Sequence, residues 1–306
     1  MRLAHSAEAY RRLMQMSTAR LFVFIEGWTE RSFYDQLCES VCRPSGVPFE
    51  VRTADEVAGG SGGKENLLAL FETLRDLGAL LEVFQGKKTG VLFFLDKDID
   101  DFTGRIVASA HVVYTEHYHV ENYWFRHGDL VTAIVSATAL DGATVTGAIG
   151  NPEDWRRLAA EQWKDWVKLC VHAHAHSVDC GCRYSAQSQV NDGCYGGLDG
   201  GRVAGRLAEL RQRAGLPDAD FDARHAVVEE WVDRLYAEGR HDAVFRGKWY
   251  VYFLVSTIKT AAGPNRKWKT AGLEGRLVAA ILATLDFEQA WTEHLKAPIR
   301  ALVAQL

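Results

Sequence analysis

The chain has 306 residues, 47% of them hydrophobic and 25% charged, with a formal net charge of −5. That length buries a large core and exceeds one compact unit, and the composition excludes a disordered chain. The negative balance excludes nucleic-acid binding by bulk charge, so such a partner needs a local basic patch or metal ions.

No apolar run approaches the roughly 18 residues of a membrane span. The opening residues lack the apolar core of a secretion signal. The expectation is a cytoplasmic protein with no membrane partner, whose six cysteines are thiols or metal ligands rather than disulfides.

Residues 1–20 read as a helix, with Leu3, Tyr10, Leu13, Met14 and Met16 partly periodic. Leu21 to Ile25 is a five-residue apolar run, too short for a helix and suited to a strand buried on both faces. Glu26-Gly27 ends it, and a helix opening at Thr29 and running to about Cys42 carries Phe33, Tyr34 and Leu37 on one face. Glu26 would then stand at the carboxyl end of a parallel sheet, where open α/β sheets bind ligands. Arg43 to Gly46 reads as a turn and Phe49 to Thr53 as a short strand. The glycine-rich run 58–63 fails as a phosphate loop, because Ala58 and Glu65 occupy positions that need Gly and Ser or Thr. It reads as a loop capping the next helix, near Lys64. Leu67, Leu68, Phe71, Leu74, Leu77 and Leu81 form one amphipathic stripe assigned to the core.

Val91 to Leu95 repeats the buried-strand signature, and Asp96, Asp98, Asp100 and Asp101 follow it. In extended chain Asp96 and Asp98 point to the same side. Two bare anions cannot share a dry site, and a hard divalent cation with oxygen ligands removes the conflict. His111 to Tyr114 is a fourth short strand, after which Glu121 reaches the same sheet edge. His117 and His119 read as structural or supporting groups, since such an ion prefers oxygen. The alternation of β and α signals predicts a compact parallel sheet with helices on both faces.

From about Gly128 the pattern turns helical: 130–140, 152 to about 170, 203–214, 223–238, and most of 245–306. Trp155, Trp163 and Trp166 read as packing residues. Cys180, Cys182 and Cys194, with one of His172, His174 or His176, are chemically able to hold structural Zn2+, but the spacing matches no common zinc motif. Between Arg246 and Arg276 lie seven Lys or Arg, among them Arg266, Lys267 and Lys269, interleaved with Trp249, Tyr250, Tyr252 and Trp268. This is either a nucleic-acid-facing surface or a buried helix followed by solvated lysines.

An apolar strand ending Glu26-Gly27-Trp28-Thr29-Glu30, then one ending Asp96-Lys97-Asp98, resembles the Toprim catalytic domain. More narrowly the chain looks like the Toprim-type nucleases of the OLD and DUF4435 groups. Gly62-Gly63-Lys64, His119-Val120-Glu121-Asn122-Tyr123 and Gly247-Lys248 are similar to DUF4435 elements. The resemblance covers Leu21 to about Phe125 well and Phe245 to about Ile258 weakly. It implies a Toprim (Rossmann-like) α/β domain at 1–127, a helical insertion at 128–244 and a C-terminal helical region at 245–306. It also implies a metal-dependent endonuclease acting on RNA such as tRNA, or on DNA. Glu26, Asp96 and Asp98 would bind one or two Mg2+ or Mn2+ ions, with Glu30, Asp100 and Glu121 as the next ligands. Lys248 would stabilise the transition-state charge. The resemblance further implies a homodimer and a role as toxic effector of a PARIS-type anti-phage (abortive infection) system, controlled by a separate ABC-type ATPase. The alternative is an inactive Toprim-like protein that binds metal, nucleotide or a partner.

Overall fold

The protein is described from a computed structural model over residues 7–57, 63–138, 140–191, 197–263 and 272–306. It is an α/β fold whose contacts separate into two units. One comprises Met1–Lys97, Ile106–Glu116 and Asp286–Leu306, the other Asp98–Arg105 and His117–Leu285. The contacts thus group the chain otherwise than into segments 1–127, 128–244 and 245–306. The chain crosses between units at Lys97-Asp98, and its last helix returns to the first unit.

The first unit holds a sheet of β1 (Leu21–Ile25), β2 (Phe49–Thr53), β3 (Leu81–Phe84), β4 (Lys87–Leu95) and β5 (Val112–Tyr114). β2, β1, β4 and β5 run parallel in that order, and β3 pairs antiparallel with the start of β4. Alternation along the strands sends Phe22, Phe24, Val91, Phe93 and Leu95 into one core with Tyr10, Met14, Leu67, Phe71 and Leu74 of helices Ala7–Met16 and Lys64–Asp76. On the other face Tyr34 of helix Arg31–Ser45 packs on Phe94, with ring centroids 5.0 Å apart. A Cβ on Gly90 would come within 2.9 Å of Leu302, in helix Glu293–Val303. Helices therefore cover both faces, as the alternation predicts.

β3 corrects the sequence reading, which carried Leu81 into the preceding helix. Gly78, at φ 66°, closes that helix: its N–H donates to Arg75 O and the Ala79 N–H to Leu74 O. The chain then turns through Gln85 and Gly86, both at positive φ, a two-residue hairpin connection.

The second unit is helical. Helices Lys164–Ala175 and Asp218–Ala237 pack together, as do Leu130–Ala137 and Leu273–Leu282. A further helix, Gly142–Ile149, packs on Lys248–Ala262. The single helix expected from Pro152 breaks at Trp163, whose buried ring lies 5.3 Å from that of Trp249. Trp155, Trp163 and Trp166 are packing residues as predicted. Trp249 and Tyr250 are buried too, so these two aromatics of the expected nucleic-acid surface are core, whereas Tyr252 is half-buried and Trp268 lies outside the described residues. No helix among the described residues is long and apolar enough to cross a membrane.

Candidate functional site

In the first unit, β1 and β4 are parallel neighbours, so the residues that follow them emerge at one edge of the sheet. All five residues of β1 are buried, which fixes the backbone leading into Glu26. The Glu26 carboxylate accepts the Asp96 backbone N–H at 2.8 Å, tying the two strand ends together. Asp96 is 5% exposed and Glu26 half-buried. Glu30, in the turn Trp28–Glu30, is also buried, and its Oε1 lies 3.3 Å from the point a Cβ on Gly27 would occupy. Glycine at 27 therefore gives that carboxylate room to fold back over the chain. Lys97 is buried as well. Trp28, by contrast, is 75% exposed; a tryptophan reads as core from sequence, so nothing singled it out.

In the second unit, Asp98 stands at φ 51°, a left-handed conformation that Asp tolerates better than most residues. The strand has ended at Leu95, so the expected same-side alternation of Asp96 and Asp98 does not apply. The Asp98 N–H donates to Tyr118 O at 2.9 Å, and its Oδ1 lies 3.1 Å from His119 Nε2. Asp100 is buried at the start of the short helix Asp100–Thr103. Glu121 is 4% exposed. Its Oε1 lies 3.3 Å from Lys248 Nζ, and its Oε2 lies 3.5 Å from His119 Nδ1. Burial pushes the Glu121 carboxyl up, but the His119 ring and the Lys248 ammonium outweigh it and hold the group below the usual carboxylate range.

Two sequence elements far apart in the chain are joined here. A Cβ on Gly247 would fall 2.5 Å from Asn122 N and 2.7 Å from Asn122 Oδ1, so only glycine admits the contact. Asn122 Nδ2 in turn donates to Phe245 O and to Asp242 Oδ1, both at 3.0 Å. This close approach seats Lys248 beside Glu121. Gly247→Ala is expected to destabilise the second unit by about 1–3 kcal/mol or more through overpacking against backbone. Chemical denaturation monitored by tryptophan fluorescence measures it, and an unchanged midpoint would contradict the contact.

Asp96 in the first unit, and His119 and Glu121 in the second, are each donors of the kind that can hold a metal ion. The Oε2 of Glu121 is buried and accepts no hydrogen bond among the described residues, as suits an oxygen able to face a cation. The sequence reading made His119 a structural or supporting group; its ring lies between the carboxylates of Asp98 and Glu121.

The remaining expected residues lie elsewhere. Lys64 opens helix Lys64–Asp76. Arg266, Lys267, Lys269 and Cys194 lie outside the described residues. Cys180 and Cys182 are buried near Cys170, and burial raises the Cys170 and Cys182 thiols, which favours neutral S–H over thiolate. Among the described residues no cysteine belongs to a cluster of metal donors. No protein-family model matches the chain, and no curated protein matches its sequence.

Proposed function

We propose that the protein is a Mg2+- or Mn2+-dependent phosphodiesterase acting on RNA or DNA. The observation that carries this is the tie between Glu26 and Asp96 at the ends of two adjacent parallel strands, with Asp98 two residues further along the chain. Glu26, Asp96 and Asp98 would hold one or two ions, with Glu30, Asp100, Glu121 and His119 in support. Such an ion supplies a water made nucleophilic at neutral pH and neutralises charge on the attacked phosphate.

The chain's own groups do the rest. Glu26 is held rigidly by a buried strand. Lys248 brings a positive charge next to Glu121 and is suited to stabilise a phosphorane-like transition state. Lys248→Ala is expected to lower turnover by about 10²-fold and to let the Glu121 carboxyl rise, with Lys248→Arg recovering part of the loss. Single-turnover cleavage measures this, and full activity in Lys248→Ala would remove it from the mechanism.

Incubation of labelled RNA, including tRNA, and of single- and double-stranded DNA with Mg2+ or Mn2+, against an EDTA control, tests the whole reading. Metal-dependent cleavage of any of them supports it; none, with both metals, overturns it. A dimer working with a separate ABC-type ATPase in anti-phage defence is the biological setting proposed for such an activity.

A further inference from the structure

A cavity of about 470 Å³ lies within the second unit, lined by Tyr118, His119, His174, Arg183, Tyr184 and Arg246, with Cys170 and Cys182 in its wall. Its size falls in the roughly 300–1,000 Å³ range of small-ligand sites. Two features give it a chemistry. The half-buried guanidinium of Arg246 donates to Tyr184 O at 3.0 Å and makes no ion pair among the described residues. A cation partly withdrawn from water without a counter-ion is costly, and an anionic ligand relieves that cost. The second feature is His119, which lines the cavity and also lies 3.1 Å from Asp98 and 3.5 Å from Glu121. The space therefore opens beside the residues proposed to act on a phosphodiester.

We propose that this cavity binds one nucleotide, its phosphate on Arg246. Its nucleoside lies in the space walled by Tyr118 and Tyr184, whose rings are 4.4 Å apart at centroid. Arg183, exposed and paired with Asp179 at 2.5 Å, stands at the wall as a second cation. The neutral thiols of Cys170 and Cys182 add no negative charge to the wall, and the Asp179 carboxylate that also lines it is taken up by Arg183. The inference deepens the nuclease reading and rests on it for its biological sense: the bound nucleotide is the one next to the cleaved phosphodiester. The same chemistry would also take a free mononucleotide.

The test is calorimetric titration of the full-length protein in EDTA, where no cleavage occurs. Uridine and adenosine 5′-monophosphates are compared with the parent nucleosides, and 5′-phosphorylated trinucleotides serve as competitors. The monophosphates are expected to bind at one site about tenfold to a hundredfold more tightly than the nucleosides, the range of a charge-assisted contact. Arg246→Gln, which keeps a donor for Tyr184 O, should abolish that preference without changing the melting temperature. The trinucleotides should compete in wild type.

Equal affinity for nucleoside and monophosphate, or an unaltered preference in Arg246→Gln, overturns the assignment. The comparison of the two ligands on wild type holds even if the variant folds poorly. Competition by mononucleotides but not by trinucleotides overturns the substrate role. A protein that cleaves RNA or DNA yet binds no nucleotide overturns this inference alone. One that binds nucleotide and cleaves nothing overturns the nuclease reading alone.

Discussion

Glu26→Gln is expected to cut cleavage by about 10²–10³-fold or more while leaving the melting temperature in EDTA unchanged. The reasons are local. Glu26 follows a strand with five buried residues and accepts the Asp96 N–H through Oε1. A glutamine oxygen can accept the same hydrogen bond, so the strand ends stay tied and only the negative charge is lost. A ligand or base must be held to within about half an ångström, and this position provides that. Titration of Mn2+ into wild type and Glu26→Gln should show a weaker affinity in the variant. Asp96→Ala and Asp98→Ala should likewise lose activity without melting below the parent in EDTA, because removing one of several neighbouring carboxylates relieves repulsion. Equal metal affinity and equal turnover in Glu26→Gln would end the catalytic reading of this edge of the sheet.

The second large effect is expected at Asp242, which touches no proposed metal ligand directly. It is 1% exposed. Oδ1 accepts the Tyr250 hydroxyl at 2.8 Å and Asn122 Nδ2 at 3.0 Å, while Oδ2 lies 3.3 Å from both Arg126 and Arg156. Its backbone oxygen also accepts the Tyr118 N–H. Asp242→Ala leaves the buried Arg156 without its carboxylate, and breaking a buried pair from one side costs about 3–5 kcal/mol. Asp242→Asn keeps an oxygen for Tyr250 and Asn122 and isolates the loss of charge. Denaturant midpoints for the two variants should both fall, that of Asp242→Ala further.

The charge also sets a pH dependence. Burial pushes the Asp242 carboxyl up, but His241, His117, Arg156 and the Asn122 amide outweigh it and hold the folded carboxyl below the usual range. A group depressed in the folded state contributes its full stability above its unfolded pKa, about 3.9. That contribution is lost as pH falls through the lower folded value. Wild type should therefore lose stability on acidification below about pH 4 more steeply than Asp242→Asn. Parallel acid unfolding curves would show that the charge at 242 contributes nothing.

Much of the first unit was legible because its signals are local. The runs 21–25 and 91–95 are apolar throughout, as strands covered on both faces must be, and each is broken by an acidic residue. Those breaks alone place Glu26 and Asp96 at one end of a parallel sheet. Leu81 shows where a local signal misleads: its spacing continued a helical stripe, yet Gly78 had already ended the helix and the residue pairs with Gly90 in a hairpin.

The rest depends on groups distant in the chain. Asp98 was placed by an extended-chain argument, but its left-handed backbone aims the carboxylate at His119. Trp249 and Tyr250 looked equally suited to stacking on bases and to filling a core until neighbouring helices buried them. Glu121 and Lys248 each carried a motif, and their pairing follows from the contact between Asn122 and Gly247, which no spacing encodes. Asp242 gave no signal, and Arg246 stood out only as one of the seven basic residues between 246 and 276. A buried charge acquires its meaning from partners gathered from several helices, and Arg246 from having no ion pair among the described residues. Local sequence sets which elements form and where two carboxylates end their strands, because backbone propensity and burial periodicity act over a few residues. Long-range packing determined which charges meet.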